Sequence, residues 1–487
     1  MQLNRPAPQA IVIFGASGDL TRRKILPALY NLAAEDLLPE RHAVFGYALA
    51  DWDDDGFREH ARHAVEEFSR TGLDEAVWKR FAPSLRFVPG KFEDGDALRS
   101  LAERLARADA EAGTAGGRLY YLAVPPSAFA VIVQGLGEVG PGDRERTRIV
   151  IEKPFGHDLA SARELNNAVH GVFDETQVFR IDHYLGKETV QNLMVFRFGN
   201  SLWERVWNRD AIDHIQFTVA ESIGVEGRGG YYEEAGALRD LVQNHMFQVL
   251  AFLSMEPPRS LDAEAIRDEK VKLMRAVHPL SSSDVVRGQY ATGTIDGRAV
   301  PAYREEPNVA ADSQTETFAA VKLHVDNWRW QGVPMFLRHG KRLPQRATEV
   351  SVVFRDAPSY LFEEEGIERL PPDHLTIRIQ PDEGISLSFQ AKEPGPGIEL
   401  QEVEMDFGYG ESFKTKPAEA YERLIHDAMV GDHTLFTRED GVERSWELVA
   451  EVLANPGPVH EYPAGTWGPA ESDELIAPRH WHLGAHW

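Results

Sequence analysis

The sequence predicts two domains: an α/β domain on a doubly wound parallel sheet over residues 1–178, then an α+β domain with a large, mainly antiparallel open sheet over residues 179–487. Three observations predict this. A chain of 487 residues is too long for one ordinary domain, and each half is long enough to bury its own core. Up to about residue 175, short apolar runs alternate with amphipathic stretches, the pattern of a parallel sheet covered by helices. From about residue 212, apolar and polar residues alternate singly, as in strands with one covered face.

The elements follow in order. "AIVIFGASGDL" reads as a buried strand running into a glycine turn, and "RRKILPALYNLAAEDLL" as the amphipathic helix after it. Pro27 is tolerated if that helix begins near Arg23, because a first-turn proline removes no intrahelical hydrogen bond. "HAVFGYALAD" is a second strand ending near Asp51, followed by helical material to Arg80, the strand "LRFVPGKF", the helix "DALRSLAERLARADAEA" and the strand "RLYYLAV". "TRIVIEKPFG" and "DLASARELNNAVHGVF" continue the alternation as strand and helix. In the second half "IDHIQFTVAES", "FAAVKLHVDNW", "TEVSVVFRD", "HLTIRIQ" and "GISLSFQAK" are strands, the last two joined by "PDEG", a hairpin turn.

Composition narrows the chemistry. Apolar residues make up 43% of the chain, as in a globular protein. Lys plus Arg is 52 against 77 for Asp plus Glu, a formal charge of −25, which disfavours nucleic acid and anionic membrane as partners. With no cysteine, disulfides, thiolate metal sites and cysteine nucleophiles are excluded, which fits a cytoplasmic protein. The first residues, "MQLNRPAPQAIVIFGASG", lack the apolar run of a signal peptide, and no later stretch has the length of a membrane span.

Against that acidic background, basic groups concentrate in a few places. "RIDHYLGKE" holds six ionisable side chains in nine positions; His183 and Lys187 share a face if the segment is helical, and would suit a phosphate dianion. A His/Lys pair on a surface helix is the plainer reading. Asp240 and His245 sit in the helical stretch of "EGRGGYYEEAGALRDLVQNHMFQ", where the histidine is either a hydrogen-bonded core residue or a general base. Lys153 follows the strand "IVI", where open α/β sheets bind ligands. Lys341 and Arg346 precede a strand in "FLRHGKRLPQRATEV". Gly15 and Gly18 form a G-x-x-G turn between strand and helix, either a plain tight turn or a cradle for a pyrophosphate. The basic run Arg22, Arg23 and Lys24 is a solvated helix face or a further phosphate contact.

Taken in order, "GASGDLTRRKILPALYNL", "YLAVPP", "IEKPFG", "RIDHYLGKE", "EGRGGYYEEAGALRDLVQNH", "LRHGKRLPQRATEV" and "KPAEAYERLIHDAMVGDHTLF" resemble the glucose-6-phosphate dehydrogenase family from Ile11 to Leu453. The resemblance implies a Rossmann-like first domain, a second domain for substrate and oligomerisation, and oxidation of D-glucose 6-phosphate at C1 to the lactone, the first step of the oxidative pentose phosphate pathway. It implies His245 as the general base and Asp182 as its carboxylate partner. His183, Tyr184 and Lys187 match phosphate-binding positions, Lys153 a lysine between sugar and cofactor, and Glu221, Asp240, Lys341 and Arg346 substrate-contacting positions. Gly15, Ala16, Ser17, Gly18, Asp19, Leu20, Lys24, Leu49, Asp51, Pro125 and Lys153 match cofactor-binding positions. No metal is implied, and the expected assembly is a homodimer or homotetramer.

One stretch departs from the family pattern. Where the family carries an arginine for the NADP 2′-phosphate, this chain has Leu49, followed by Asp51, Asp53, Asp54 and Asp55. A dianion there loses a bidentate partner and gains carboxylate neighbours, whereas a carboxylate past the second strand suits the free 2′-hydroxyl of NAD. NADP is the cofactor by resemblance, and NAD is expected to be used comparably or better. Two other readings have less support in the residues. A sugar oxidoreductase of the inositol or glucose-fructose type leaves "RIDHYLGKE" unexplained, and a catalytically silent cofactor sensor predicts damage at His245 or Asp182, both intact.

Overall fold

β1 (Gln9–Phe14) is buried along its whole length, as its apolar run requires, and is flanked on both sides by parallel strands. Around it the computed structural model, which describes residues 4–363, 369–413 and 419–483, builds a seven-stranded sheet. The other strands are β2 (His42–Ala48), β3 (Leu85–Pro89), β4 (Arg118–Leu122), β5 (Thr147–Ile151), β6 (Val178–Ile181) and β17 (Phe436–Thr437). Their order is β17-β6-β5-β4-β1-β2-β3, with only β17 antiparallel, so the chain runs outward from β1 in one direction and then in the other. That is the doubly wound arrangement expected from the alternation, and its reversal falls between β1 and β4.

Helices start where aspartates offer caps. Asp53 accepts from Gly56 N at 2.8 Å to begin helix Asp54–Phe68, Asp94 caps Gly95–Glu111, and Asp158 forms a reciprocal cap on Leu159–His170. The core between sheet and helices is aromatic and aliphatic, with Phe14, Tyr47, Tyr120, Leu98, Ile132 and Phe173 in one cluster. β2 ends at Ala48, short of the expected Asp51, because the chain leaves the sheet before the aspartate run.

The second unit carries nine strands: β7 (Ile212–Ala220), β8 (Val285–Ala291), β11 (Phe318–Leu323), β12 (Met335–Gly340), β13 (Ala347–Phe354), β14 (His374–Gln380), β15 (Gly384–Lys392), β16 (Leu400–Gly408) and β18 (Val459–Pro463). Their order is β16-β15-β14-β13-β7-β12-β11-β8-β18. Neighbours are antiparallel except β12 with β7 and β18 with β8. β9 (Gly293–Ile295) and β10 (Arg298–Val300) form a separate small hairpin. Helix Phe247–Ser254 is buried throughout, and the indoles of Trp207 and Trp330 donate to the carbonyls of Leu253 and Ser254 at 2.8 and 2.7 Å.

The units interleave along the sequence. The first comprises 1–187, 258–269 and 417–443, and the second the remainder. A contiguous division at residue 178 therefore differs from the packing: β6 and "RIDHYLGK" up to Lys187 pack with the first unit, and so does helix Ala420–Val430. Lys416–Ala418, the start of the late family motif, lie outside the described residues.

Candidate active site

In the first unit the expected residues gather at the carboxyl ends of the parallel strands. Gly15 directly follows β1 with φ +83°, and a Cβ there would lie 2.2 Å from the Ala123 carbonyl oxygen beyond β4. Only glycine admits that conformation and that approach together. The turn is pinned by Gly15 N and Ala16 N donating to the Tyr47 carbonyl and by Gly18 N donating to the Gly15 carbonyl at 2.9 Å. Ser17 and Asp19 are exposed, Leu20 is half-buried, and helical geometry begins at Asp19. Pro125 lies exposed past β4, across the strand-order reversal from Gly15. This cradle, which a Cβ would fill, fits a dinucleotide pyrophosphate at a helix N-terminus. Helical chain runs continuously from Asp19 through a π-helical turn, Thr21–Ile25, into the α-helix Leu26–Ala34, so it starts before the expected Arg23 and Pro27 falls where the π turn gives way to α geometry.

Past β2, Leu49 is 72% exposed. Three of the four aspartates beyond it have structural partners. Asp53 caps its helix, Asp54 accepts from Phe87 N and Arg104, and Asp55 pairs with Arg58. Asp51 is exposed. The basic run is occupied as well: Arg22 pairs with Glu67, Arg23 with Asp19 at 2.7 Å, and Lys24 with Glu419 at 2.8 Å.

Lys153 follows β5 and Asp182 follows β6, two strands paired in parallel, so both emerge at one edge of the sheet. Asp182 is buried and accepts from Tyr184 N at 3.0 Å. The segment after it is not a helix. Leu185, Gly186 and Lys187 donate to the carbonyls of Asp182, His183 and Tyr184, a run of three-residue turns, and the helix begins at Glu188. His183 and Lys187 are therefore not stacked one α-helical turn apart. The turns instead set the Lys187 ammonium 4.3 Å from the centroid of the Tyr184 ring.

Beneath Lys153 lies a carboxyl that the sequence reading passed over. Burial pushes Glu152 up to about 7, against hydrogen bonds from Tyr121 and Tyr421 and the charge of Lys153, which pull it down. Only the spacing of Glu152 beside Lys153 in "EKPFG" pointed to it; Tyr121 and Tyr421 are distant in sequence.

In the second unit Glu221 directly follows β7 and Lys341 directly follows β12. Because these strands run parallel with Ala220 opposite Gly340, the two side chains meet and form an ion pair. Burial opposes ionisation of Glu221, but the charges of Lys341 and His339 and the hydrogen bond from Lys341 prevail and hold it below the usual carboxylate range. Lys341 Nζ also lies 5.0 Å from the centroid of the Tyr232 ring. His339, missed in the sequence, is fully buried on β12 with Nδ1 2.9 Å from the Val219 carbonyl, and burial lowers its pKa.

Asp240 and His245 lie in a π-helical stretch, Leu238–Met246, packed against β12. An α-helix would turn residues five apart about 140° away from each other, whereas i→i+5 bonding brings them onto neighbouring turns. The stretch is anchored at its start. Ala237 N donates to the Glu316 carbonyl, Leu238 N to Glu316 Oε1 at 3.2 Å, and Arg287 pairs with the same carboxylate at 2.8 Å. Gly236, at φ +63°, makes the bend, and a Cβ there would meet Glu316 Oε1 at 2.5 Å. The Tyr231 hydroxyl donates to Asp240 Oδ1 at 3.4 Å, and His245 is buried. Arg346 is exposed and donates to Gln380 Oε1 at 3.2 Å; it directly precedes β13, whose Ala347 pairs with Ala220, the residue before Glu221.

Comparison with known proteins covers both units. A family model described as "Glucose-6-phosphate dehydrogenase, NAD binding domain" matches residues 12–192, and one described as "Glucose-6-phosphate dehydrogenase, C-terminal domain" matches residues 194–487. The chain is 48% identical over 479 residues to "Glucose-6-phosphate 1-dehydrogenase 2" of Mycobacterium bovis, covering 96% of this chain and 93% of that one. It is 46% identical over 476 residues to "Glucose-6-phosphate 1-dehydrogenase" of Aggregatibacter actinomycetemcomitans, with 96% and 95% covered. Among solved structures it is similar to a glucose-6-phosphate dehydrogenase in complex with its substrate glucose-6-phosphate, with TM-score 0.90, 38% identity and 99% and 100% coverage. The glucose-6-phosphate 1-dehydrogenase of Mycobacterium avium follows with TM-score 0.86, 39% identity and 99% of each chain covered. These matches do not favour the inositol-type or sensor readings.

Proposed function

The chain belongs to the glucose-6-phosphate dehydrogenase family, and from that premise we propose how its own residues oxidise D-glucose 6-phosphate at C1 to 6-phospho-D-glucono-1,5-lactone. NAD(P), when bound, supplies the hydride acceptor. The turn of Gly15, Ala16, Ser17, Gly18, Asp19 and Leu20 receives its pyrophosphate at the helix N-terminus, with Pro125 and Lys153 flanking it. His183, Tyr184 and Lys187 hold the sugar phosphate, and that remote binding energy places C1 for reaction. Lys153, Glu221, Asp240, Lys341 and Arg346 orient the sugar. His245 accepts the C1 hydroxyl proton as the C1–H electron pair departs as hydride, and Asp182 fixes the imidazole tautomer and stabilises the imidazolium.

The reading is supported by one observation above others: Gly15, Lys153 and Asp182 all lie past the carboxyl ends of parallel strands of one sheet, where an open α/β sheet binds its ligands. The cofactor choice rests on the segment past β2. An exposed Leu49, an exposed Asp51, and a basic run already paired with Asp19, Glu67 and Glu419 favour the NAD hydroxyl over the NADP phosphate. NAD is used at least as well as NADP. The assembly is a homodimer or homotetramer and the compartment the cytoplasm; among the described residues no helix is long and apolar enough to cross a membrane.

Purified protein mixed with glucose 6-phosphate and either NAD or NADP tests this through the rate of reduced nicotinamide formation. The expected outcome is turnover with kcat/KM for NAD equal to or above that for NADP. A clear NADP preference transfers the 2′-phosphate to the Arg22–Lys24 run, and no turnover with either cofactor sinks the catalytic assignment.

A further inference from the structure

Glu152 takes no part in the proton and hydride transfers above, yet it is a buried carboxyl next to Lys153. Lys153, at the bend that follows β5, is half-buried where Glu152 is buried. The Tyr121 hydroxyl, on β4, donates to Glu152 Oε1 at 2.7 Å, and Tyr421, on helix Ala420–Val430, also bonds to it. The Tyr421 ring in turn lies almost parallel to the His183 imidazole, with planes inclined by 11° and centroids 6.4 Å apart. β4 and helix Ala420–Val430 thus meet at the carboxyl at the end of β5, and the turn after β6 joins them through Tyr421.

The charged and titratable groups around it come from each of these elements. Lys153 is its neighbour in the chain, Tyr121 and Tyr421 are its donors, Glu419 acts on both phenols, and Asp182 acts on Tyr421. Glu419 is paired with Lys24. Burial and the nearby carboxylates keep both phenols protonated, while burial brings Glu152 up to about 7, so its charge changes in the neutral range.

We propose that Glu152 is a positioning residue whose ionisation weakens the hold of Lys153 and His183 on the phosphorylated substrate. With the carboxyl neutral, the field of Lys153 is available to the anionic ligand and Tyr421 supports His183. With the carboxyl ionised, the new charge draws on the Lys153 ammonium and tightens the phenol bonds beneath the turn. This rests on the reading of Lys153 and His183 as substrate-contacting groups.

The test measures KM and Kd for glucose 6-phosphate at saturating NAD, from about pH 6.5 to 9, in wild type, Glu152→Gln and Tyr421→Phe. Wild-type KM is expected to rise about three- to tenfold as pH passes through the neutral range, the size of one added charge whose field reaches the lysine. Glu152→Gln, neutral at every pH, loses that rise. Tyr421→Phe keeps the ring but removes a donor that favours the carboxylate, so its rise moves to higher pH. Variant profiles that superimpose on the wild type overturn the proposal, and the Tyr421→Phe shift decides alone if Glu152→Gln does not fold. The carboxyl is also read without substrate, as the infrared C=O band of the protonated acid. A band with no midpoint between about pH 6 and 8 overturns the role of Glu152. A wild type that neither binds nor turns over glucose 6-phosphate overturns the substrate reading instead.

Discussion

Leu49 and Glu152 carry the two proposals that turn on a single charge given up or withheld. At Leu49 an apolar residue is 72% exposed where a phosphate-reading arginine would stand, and Asp51 follows it. Leu49→Arg is expected to raise the NADP over NAD ratio of kcat/KM by about tenfold or more, the scale of one charge-assisted bidentate contact. An unchanged ratio would remove the cofactor argument. Glu152 also carries a stability signature. Its carboxyl is raised from 4.5 to about 7 on folding, so the stability it contributes is fully present below the unfolded value and is lost as pH rises through about 7. Relative to Glu152→Gln, the wild type should lose about 2 to 3 kcal/mol between pH 5 and 8, read as a thermal midpoint gap that widens with pH. Leu49 was legible in the sequence, since a missing charge can be read by eye. The titration of Glu152 was not, because burial and two distant tyrosines create it.

At the scale of elements, the strand-turn-helix around Gly15 and the π-helical stretch around His245 obey different logics. The first is local: a buried apolar strand, a glycine and an amphipathic helix follow in sequence, and the glycine is required where the chain approaches Ala123. Gly15→Ala is expected to cost several kcal/mol of local strain and to weaken cofactor binding at least tenfold in a direct titration, with no comparable change in glucose 6-phosphate affinity. The second stretch looked like an ordinary helix, because sequence periodicity over nine residues does not separate α from π geometry. What selects the π form lies elsewhere in the chain: Glu316, Arg287 and the bend at Gly236 fix where the helix starts. In the same way the Glu221 and Lys341 pair follows from parallel register between β7 and β12, strands separated by more than a hundred residues. β12, β8 and β18 carry apolar residues that do not alternate cleanly within short runs, whereas Val403, Met405 and Phe407 of β16 do alternate, so β16 was open to the same reading as its neighbours.

On the scale of the whole molecule, the two units are each completed by chain that returns from far away. Helix Ala420–Val430 packs on helix Leu26–Ala34, Asn31 donates to Glu422 at 2.8 Å, Arg70 pairs with that same buried carboxylate, and β17 closes the edge beside β6. A fragment of residues 1–187 should therefore lack a cooperative thermal transition in circular dichroism, while addition in trans of a 417–443 peptide should restore part of it. Recovery of a full cooperative transition by the fragment alone would contradict this. By itself the sequence determined the two fold classes, most strand positions, the glycine turn, the acidic departure at Leu49 and Asp51, and the motifs that mark the family. Those are written in local periodicity, turn chemistry and side-chain identity, which act within a few residues. Only the tertiary structure decided that "RIDHYLGKE" passes from strand through a run of turns at His183–Lys187 into a helix, that Lys24 is held by Glu419, that His245 rides a π-helix, and that Glu152 is buried between Tyr121 and Tyr421. Each of those depends on partners brought together from distant parts of the chain, and burial and pairing are properties of the neighbours that folding supplies.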